Sequence, residues 1–223
     1  MKGKLIIIEG SDGSGKATQS EKLYRRLKTQ GYNVRMIQFP NYESDSSALV
    51  KMYLGGEFGK DPGDVSPYIA STFFAVDRYA SFKTDWQEFY LGGGIIIADR
   101  YTTSNMVHQA AKIEGDAKDV FLDWLWDLEY NMYKLPVPDC VIFLDMPPHF
   151  SAMLMLGREN KITGGQDKDI HENNSEYLVN SYNNSLYIAQ KYGWNMIGCT
   201  NSDGIRGIED IHEEIFKAVK LNL

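Results

Sequence analysis

Leu5-Ile6-Ile7-Ile8-Glu9-Gly10-Ser11-Asp12-Gly13-Ser14-Gly15-Lys16 is the stretch that decides the fold. Four apolar residues in a row are what a strand covered on both faces requires. Gly10 then opens a G-x-x-x-x-G-K spacing that closes on Lys16. A helical pattern follows from about Lys16 to Gln30, and Gly31 ends it. Strand, glycine-rich turn and helix in this order form a phosphate loop. Its glycines let the backbone curl until amides point inward, where they and the positive helix end hold phosphate oxygens. Lys16 reaches the β and γ phosphates and balances their charge. Gly10, Ser11, Asp12, Gly13, Ser14, Gly15, Lys16, Ala17 and Thr18 are therefore candidates for binding a nucleotide's phosphates.

One position departs from the pattern. The hydroxyl residue that usually follows the lysine, and binds magnesium, is here Ala17, with Thr18 next. Neighbouring helical residues point about 100° apart, so Thr18 does not simply take over. Either Mg2+ is held by phosphates, water and a carboxylate, or catalysis is impaired. The first reading is favoured, because magnesium keeps several waters and few protein ligands.

Outward from the loop, apolar runs alternate with helical patterns. Val34 to Phe39 reads as a second strand ended by Pro40, Ile95 to Ala98 as a third, Val141 to Leu144 as a fourth and Trp194 to Cys199 as a fifth. Helices are expected from Ser66-Pro67 to about Tyr90, from Asp116 to Met132, from Glu172 to Tyr192 and from Ile208 to Leu221. This is an α/β chain: a single domain over residues 1–223, with a phosphate-loop NTPase fold of about five parallel strands and helices on both faces. Ligands in such sheets bind beyond the carboxyl ends of the strands. The chemistry is expected after Ile8, Phe39, Ala98 and Leu144.

Two of those ends carry functional side chains. Asp99-Arg100-Tyr101 closes the third strand. Asp99 is placed to hold magnesium directly or through water, and Arg100 offers a planar fork to an acceptor phosphate. On the preceding helix, Phe74 and Arg78 share a face, so that a ring and a guanidinium lie side by side to stack on a base and bond its edge. Phe73 or Phe74 serves equally well as plain core.

Taken in order, these residues resemble the thymidylate kinase family over nearly the whole chain. The resemblance rests on Glu9 to Lys16, Phe39-Pro40, Phe74-Ala75-Val76-Asp77-Arg78, and Asp99-Arg100-Tyr101 with Ser104-Asn105 and Gln109. It implies phosphoryl transfer from ATP to dTMP, with Mg2+, in a cytoplasmic homodimer. Asp12 would face the deoxyribose 3'-hydroxyl or the metal. Phe74 would stack on thymine, Arg78 would bond its carbonyl edge, and Asn105 would read the base as well. Arg100 and Tyr42 would hold the monophosphate, with Lys16 serving the transferred phosphate. Phe39, Pro40, Ser104, His108 and Gln109 complete the expected acceptor site. Asn41 stands where a basic residue often follows the proline, and His108 where many relatives have Tyr. Both leave the base preference open among dTMP, dUMP and others.

Residues 157–174 match the family's lid, a polar segment that includes Gly164-Gly165. Where the phosphate loop lacks a basic residue at its centre, as here, relatives draw the catalytic arginine from the lid. Arg158 is the candidate, with Lys161 and Lys168 as helpers. Ile170-His171 stands where the family often has arginine. Closure over the site would exclude water, which competes for the phosphoryl group.

Composition bounds the alternatives. The chain has 223 residues, 43% hydrophobic and 24% charged, with a formal net charge of −7. That balance disfavours a broad nucleic-acid surface. No run approaches the ~18 apolar residues of a membrane helix. Cys140 and Cys199 lie in apolar runs and read as reduced, buried thiols. Two rivals stay in play. A deoxynucleoside kinase would need a carboxylate base beside a 5'-hydroxyl, for which Glu9 is the nearest candidate. A degenerate nucleotide-binding regulatory protein would bind without turnover. The segment Thr200 to Ile205 is a candidate for adenine contact.

Overall fold

The computed structural model describes residues 2–155 and 169–223. Its central sheet joins β1 (Lys4–Gly10), β2 (Val34–Gln38), β3 (Ile95–Asp99), β4 (Cys140–Asp145) and β5 (Asn195–Gly198), all parallel, in the order β2-β3-β1-β4-β5. The expected five-stranded α/β architecture is present. Successive side chains of a strand point to opposite faces. Leu5 and Ile7 accordingly enter one core with Ile96, Trp86, Phe121 and Leu125, while Ile6 and Ile8 enter the other with Ile97, Leu23, Leu27, Ile211 and Ile215. The apolar run of β1 is thus divided between two cores, and both faces of the sheet are covered.

The first core lies under α4 (Gln87–Leu91), α5 (Thr102–His108), α6 (Ala117–Trp126) and α8 (Ser175–Lys191), joined by Phe82 and Trp86 just after α3 (Pro67–Ser81). The second lies under α1 (Lys16–Thr29) and α9 (Ile208–Lys220). A third cluster, Val50, Tyr53, Leu54, Val65, Ala70 and Ile170, forms a cap around α2 (Ala48–Leu54). The long helices expected from Ser66 and Asp116 each pass through a wide π turn, at Phe82–Trp86 and Asp127–Met132. Such turns change which side chains face the core and cluster at functional sites.

Some boundaries shift. The helix expected from Glu172 begins at Ser175, because the Asn174 side chain accepts from the Tyr177 amide and caps it there. Ser66 occupies its cap position without a side-chain bond. The helices α2, α5 and α7 (Pro148–Met155) are short and were not expected. In α5, Thr102, Thr103, Ser104 and Asn105 are weak helix formers, and packing against α8 is what holds them. Thr200 to Ile205 is a hairpin of β6 (Thr200–Asn201) and β7 (Gly204–Ile205). Cys140 and Cys199 are buried and unbridged, as expected.

In register, Ile8 pairs with Asp99, Gln38 with Asp99 and Gly10 with Leu144. The glycine loop, Asp99-Arg100 and Phe39-Pro40 therefore emerge side by side from one edge of the sheet. Ile97, fully buried on β3, supports that edge from below. Ile97→Ala is expected to cost about 2–5 kcal/mol, read as a lower urea midpoint with an unchanged denaturant slope.

Candidate active site

Backbone geometry builds the phosphate cradle. Gly13 and Gly15 have φ of 82° and 88°, in the left-handed region. A Cβ on Gly13 would lie 2.4 Å from the Ser151 carbonyl oxygen, so this turn admits no side chain. Lys16, only 7% exposed, donates to the Ser11 carbonyl oxygen at 2.8 Å and lies 3.5 Å from Asp12. Burial, then the nearby Arg100, draws its ammonium pKa below the ordinary lysine value; Asp12, Asp99 and Glu9 work the other way. Ala17 and Thr18 are exposed at the start of α1, and both line the cavity above the loop.

Arg100 ties the loop to β3. Its backbone has φ of 70°, a conformation that a non-glycine residue holds only when its surroundings enforce it. Nη2 donates to Asp12 at 2.6 Å, and Nη1 reaches Glu9 at 3.4 Å, Ser104 at 3.3 Å and His108 Nε2 at 3.1 Å. Burial opposes the charge of Arg100, but Asp12 and Glu9 more than offset it and raise its pKa. For Asp12 burial is likewise outweighed, by Arg100 and then Lys16, and the carboxyl stays well below its usual range. Glu9 is fully buried, with Oε1 accepting from the Gly10 amide and Arg100, and Oε2 from Thr103 and Ser104, each at 2.7 Å. It is a fixed brace for Arg100, and its oxygens are already occupied. That counts against Glu9 as the base for attack by a nucleoside hydroxyl.

Asp99 is 7% exposed, and its Oδ1 has no hydrogen-bond partner among the described residues. A buried, unshared carboxylate oxygen beside the phosphate loop suits a hard cation such as Mg2+. No group of three or more His, Cys, Asp or Glu side chains fit to hold a metal occurs among the described residues. An ion at Asp99 would thus complete its shell with phosphate oxygens and water.

A cavity of about 980 Å3 opens over these groups. It brings together Phe39, Pro40, Tyr42, Phe74, Arg78, Asp99, Arg100, Ser104, Asn105, His108 and Gln109, as well as the loop from Ser11 to Thr18. Every acceptor-site residue expected from the sequence borders it. Its far side reaches Ile205, Arg206 and Ile208, so the hairpin touches it at Ile205 alone. Phe74 stands edge-on to Tyr53 at 6.1 Å. Asp77 positions the Phe39-Pro40 turn by accepting from the Asn41 amide at 2.8 Å and Ser46 at 2.6 Å. Tyr42 is half-buried, and burial raises its phenol pKa.

The sequence reading missed Glu129. It is fully buried and accepts from Arg78 Nε at 2.7 Å and Arg78 Nη2 at 2.5 Å. It lies 51 positions from Arg78, in the stretch from Asp116 to Met132 for which the sequence indicated only a helix. No local signal singles it out, because Asp119, Asp123 and Asp127 stand in the same helical stretch. Also missed was the packing of His171. Its Nε2 lies 2.9 Å from Tyr53 Oη, and its ring stacks on His108 with centroids 6.0 Å apart. Ile170 is buried in the cap. Burial pushes the nearby Asp169 carboxyl up to about 7, against hydrogen bonds from the Glu172 and His171 amides. Arg158, Lys161, Lys168 and Gly164-Gly165 lie outside the described residues.

Comparison with known proteins agrees with this geometry. A family model described as thymidylate kinase matches residues 8–215. The thymidylate kinase of Mycobacterium tuberculosis is 32% identical over 173 residues, covering 77% of this chain and 79% of its own. That of Plasmodium falciparum is 28% identical over 218 residues, covering 98% and 90%. Among solved structures, Candida albicans thymidylate kinase superposes with a TM-score of 0.72 at 21% identity, over 99% of this chain and 92% of its own.

His108 and His171 supply a pH test. Burial, then Arg100 and His171, holds His108 well below the ordinary imidazole value; burial, then Lys112, lowers His171 to about 3. The unfolded chain takes up these protons near pH 6.5 and the folded chain does not, so both rings withdraw stability as pH falls below that value. Imidazole 15N shifts of both residues are expected to stay in the neutral form at pH 6.5, where a solvent-exposed ring is half protonated.

Proposed function

This chain belongs to the thymidylate kinase family, and from that premise we propose how its residues transfer the terminal phosphoryl group of ATP to dTMP, giving ADP and dTDP. The observation that carries the reading is the single cavity in which the phosphate loop faces Arg100 and the Phe74–Arg78 pair. ATP lies with its phosphates in the loop amides and on Lys16. The acceptor phosphate lies against Arg100 and Tyr42, with its base between Phe74, Arg78 and Asn105. Ser104 and Gln109 complete the acceptor side.

The attacking atom is an acceptor phosphate oxygen that is already anionic near neutral pH, so no general base is required. The enclosed Glu9 is consistent with this. What the site supplies is position and positive potential. Arg100 is rigid because Asp12, Glu9, Ser104 and His108 surround it, so little reorganisation is needed when phosphate arrives. Lys16 meets the charge that builds on the transferred group. Asp99 would hold Mg2+ together with phosphate oxygens and water, so that no hydroxyl is required at Ala17. Magnesium, when bound, offsets charge on the β and γ phosphates. By the family resemblance Arg158, outside the described residues, would add a guanidinium to the transferred phosphoryl group.

The decisive measurement is ADP release by purified protein with ATP, Mg2+ and each of dTMP, dUMP, dGMP, dCMP and thymidine. Turnover on dTMP with little on thymidine is expected. Arg100→Lys, which cannot offer a bidentate fork, is expected to lose about 10- to 100-fold in kcat/KM for dTMP, with KM for ATP little changed. Turnover on thymidine alone would move the acceptor to a hydroxyl, and nucleotide binding without any turnover would leave a regulatory protein.

We also propose a cytoplasmic homodimer. No helix among the described residues is long and apolar enough to cross a membrane. The support for pairing is the row Ile69, Val76 and Tyr79 on α3, which is 53%, 44% and 41% exposed. A row of that kind is costly to leave in water. Sedimentation equilibrium is expected to give twice the chain mass of 25.4 kDa, and Ile69→Glu with Val76→Glu is expected to return it to the monomer.

A further inference from the structure

Glu129 reaches no substrate. It is fully buried and does not border the cavity, whereas two of its three partners, Arg78 and Asn105, do. The π turn at Asp127–Met132 carries it inward. Four donors converge on its two oxygens. Oε2 accepts from Arg78 Nε at 2.7 Å and Thr102 Oγ1 at 2.7 Å; Oε1 accepts from Arg78 Nη2 at 2.5 Å and Asn105 Nδ2 at 3.4 Å. The second Asn105 Nδ2 hydrogen goes to the Ser71 carbonyl oxygen at 3.2 Å.

This network settles which way the Asn105 amide faces. A flipped amide would set its oxygen against a carboxylate and a carbonyl, two acceptors with no hydrogen between them. Nδ2 is therefore held at the protein side, and Oδ1 is the end left to accept from a ligand. Arg78 has the opposite character. Glu129 binds its Nε and one Nη2 hydrogen, Nη1 leans on the Tyr101 carbonyl oxygen at 3.4 Å, and a guanidinium can only donate. Burial opposes the charge of Arg78, and Glu129 outweighs it.

We infer that Glu129 is a positioning residue that sets base preference, by fixing Arg78 as donor and Asn105 as acceptor toward a base edge carrying a keto oxygen beside a ring N–H. The inference rests on the proposed placement of the base beside Phe74. Thymine and uracil present that edge as the 4-keto oxygen and N3–H, and guanine presents the same order as the 6-keto oxygen and N1–H. Cytosine and adenine present it reversed, as an amino group beside a bare ring nitrogen. A site whose polar groups are locked in one sense rejects the reversed edge, because two pairs of like partners would then face each other.

The test is Glu129→Gln, with Glu129→Asp beside it, in the full-length enzyme. A glutamine has one acceptor oxygen and an NH2 group, so it cannot receive all four donors. With NH2 at the Oε1 position, it no longer accepts from Asn105 Nδ2 or Arg78 Nη2, and the Ser71 carbonyl oxygen alone is left to hold the Asn105 amide in one sense. The dTMP-to-dCMP ratio of kcat/KM is expected to fall by about 10-fold or more in E129Q, mainly through KM for dTMP, with E129D intermediate and KM for ATP unchanged in both. An unchanged ratio in variants that bind ATP normally, whatever their Tm, overturns the inference. If E129Q does not fold, E129D alone decides by the same ratio. If the wild-type enzyme turns over no monophosphate, the functional reading fails separately. Calorimetric Kd values for dTMP and dCMP in wild type and E129D then read the same preference without turnover, and an unchanged ratio overturns the inference there too.

Discussion

A guanidinium taken out of water has to be met by carboxylates, and this molecule does so twice within one cavity wall. Arg100 is braced by Asp12 and Glu9, Arg78 by Glu129. A buried cation without such partners carries a desolvation cost of several kcal/mol. With them it becomes a rigid donor array, aimed before any ligand arrives. The left-handed backbone at Arg100 follows from the same requirement: the chain leaves β3 in a strained turn so that the side chain falls between the loop and α5. Much of the architecture at the carboxyl edge of the sheet exists to hold these two forks.

The two forks have different duties. Arg100 touches residues of the phosphate loop through Asp12, so the donor and acceptor halves of the site are mechanically joined. Phosphoryl transfer needs two anions brought together in line, and a cation shared with the loop fixes their separation. Arg78 is more deeply buried, and its partners are Glu129 and the Tyr101 carbonyl oxygen. Recognition of the base and handling of the phosphates are thus built on separate carboxylates.

The cap couples these parts to the lid stem. Ile170 enters the same apolar cluster as Val50, Tyr53 and Leu54, and its amide donates to the Leu54 carbonyl oxygen at 3.1 Å. His171, standing where relatives often carry arginine, is neutral and packed on Tyr53 and His108. This position is given to packing. His108, the other departure, accepts from Arg100 and so acts on the phosphate side of the cavity, not simply as a wall for the base.

Local sequence was enough for whatever depends on short-range backbone chemistry. The run from Leu5 to Ile8 could only be a two-sided strand, and the glycines after it only a loop that curls around an anion. Alternation of apolar runs with helical patterns made the sheet parallel, and that rule located the site at the strand ends, where Asp99 and Arg100 lie. The expected acceptor-site residues were legible because they sit near such an end or on the neighbouring helix face. Glu129 was not, since its role depends on a contact 51 positions away and on a π turn that no local pattern signals. The enclosure of Glu9 was also decided by tertiary structure: its donors Thr103 and Ser104 lie on α5, a helix of weak formers that exists because α8 packs on it. Sequence thus determined which groups are present and at which edge. Only the fold decided which of them are free to meet a ligand, because that depends on which partners have already taken their hydrogen bonds.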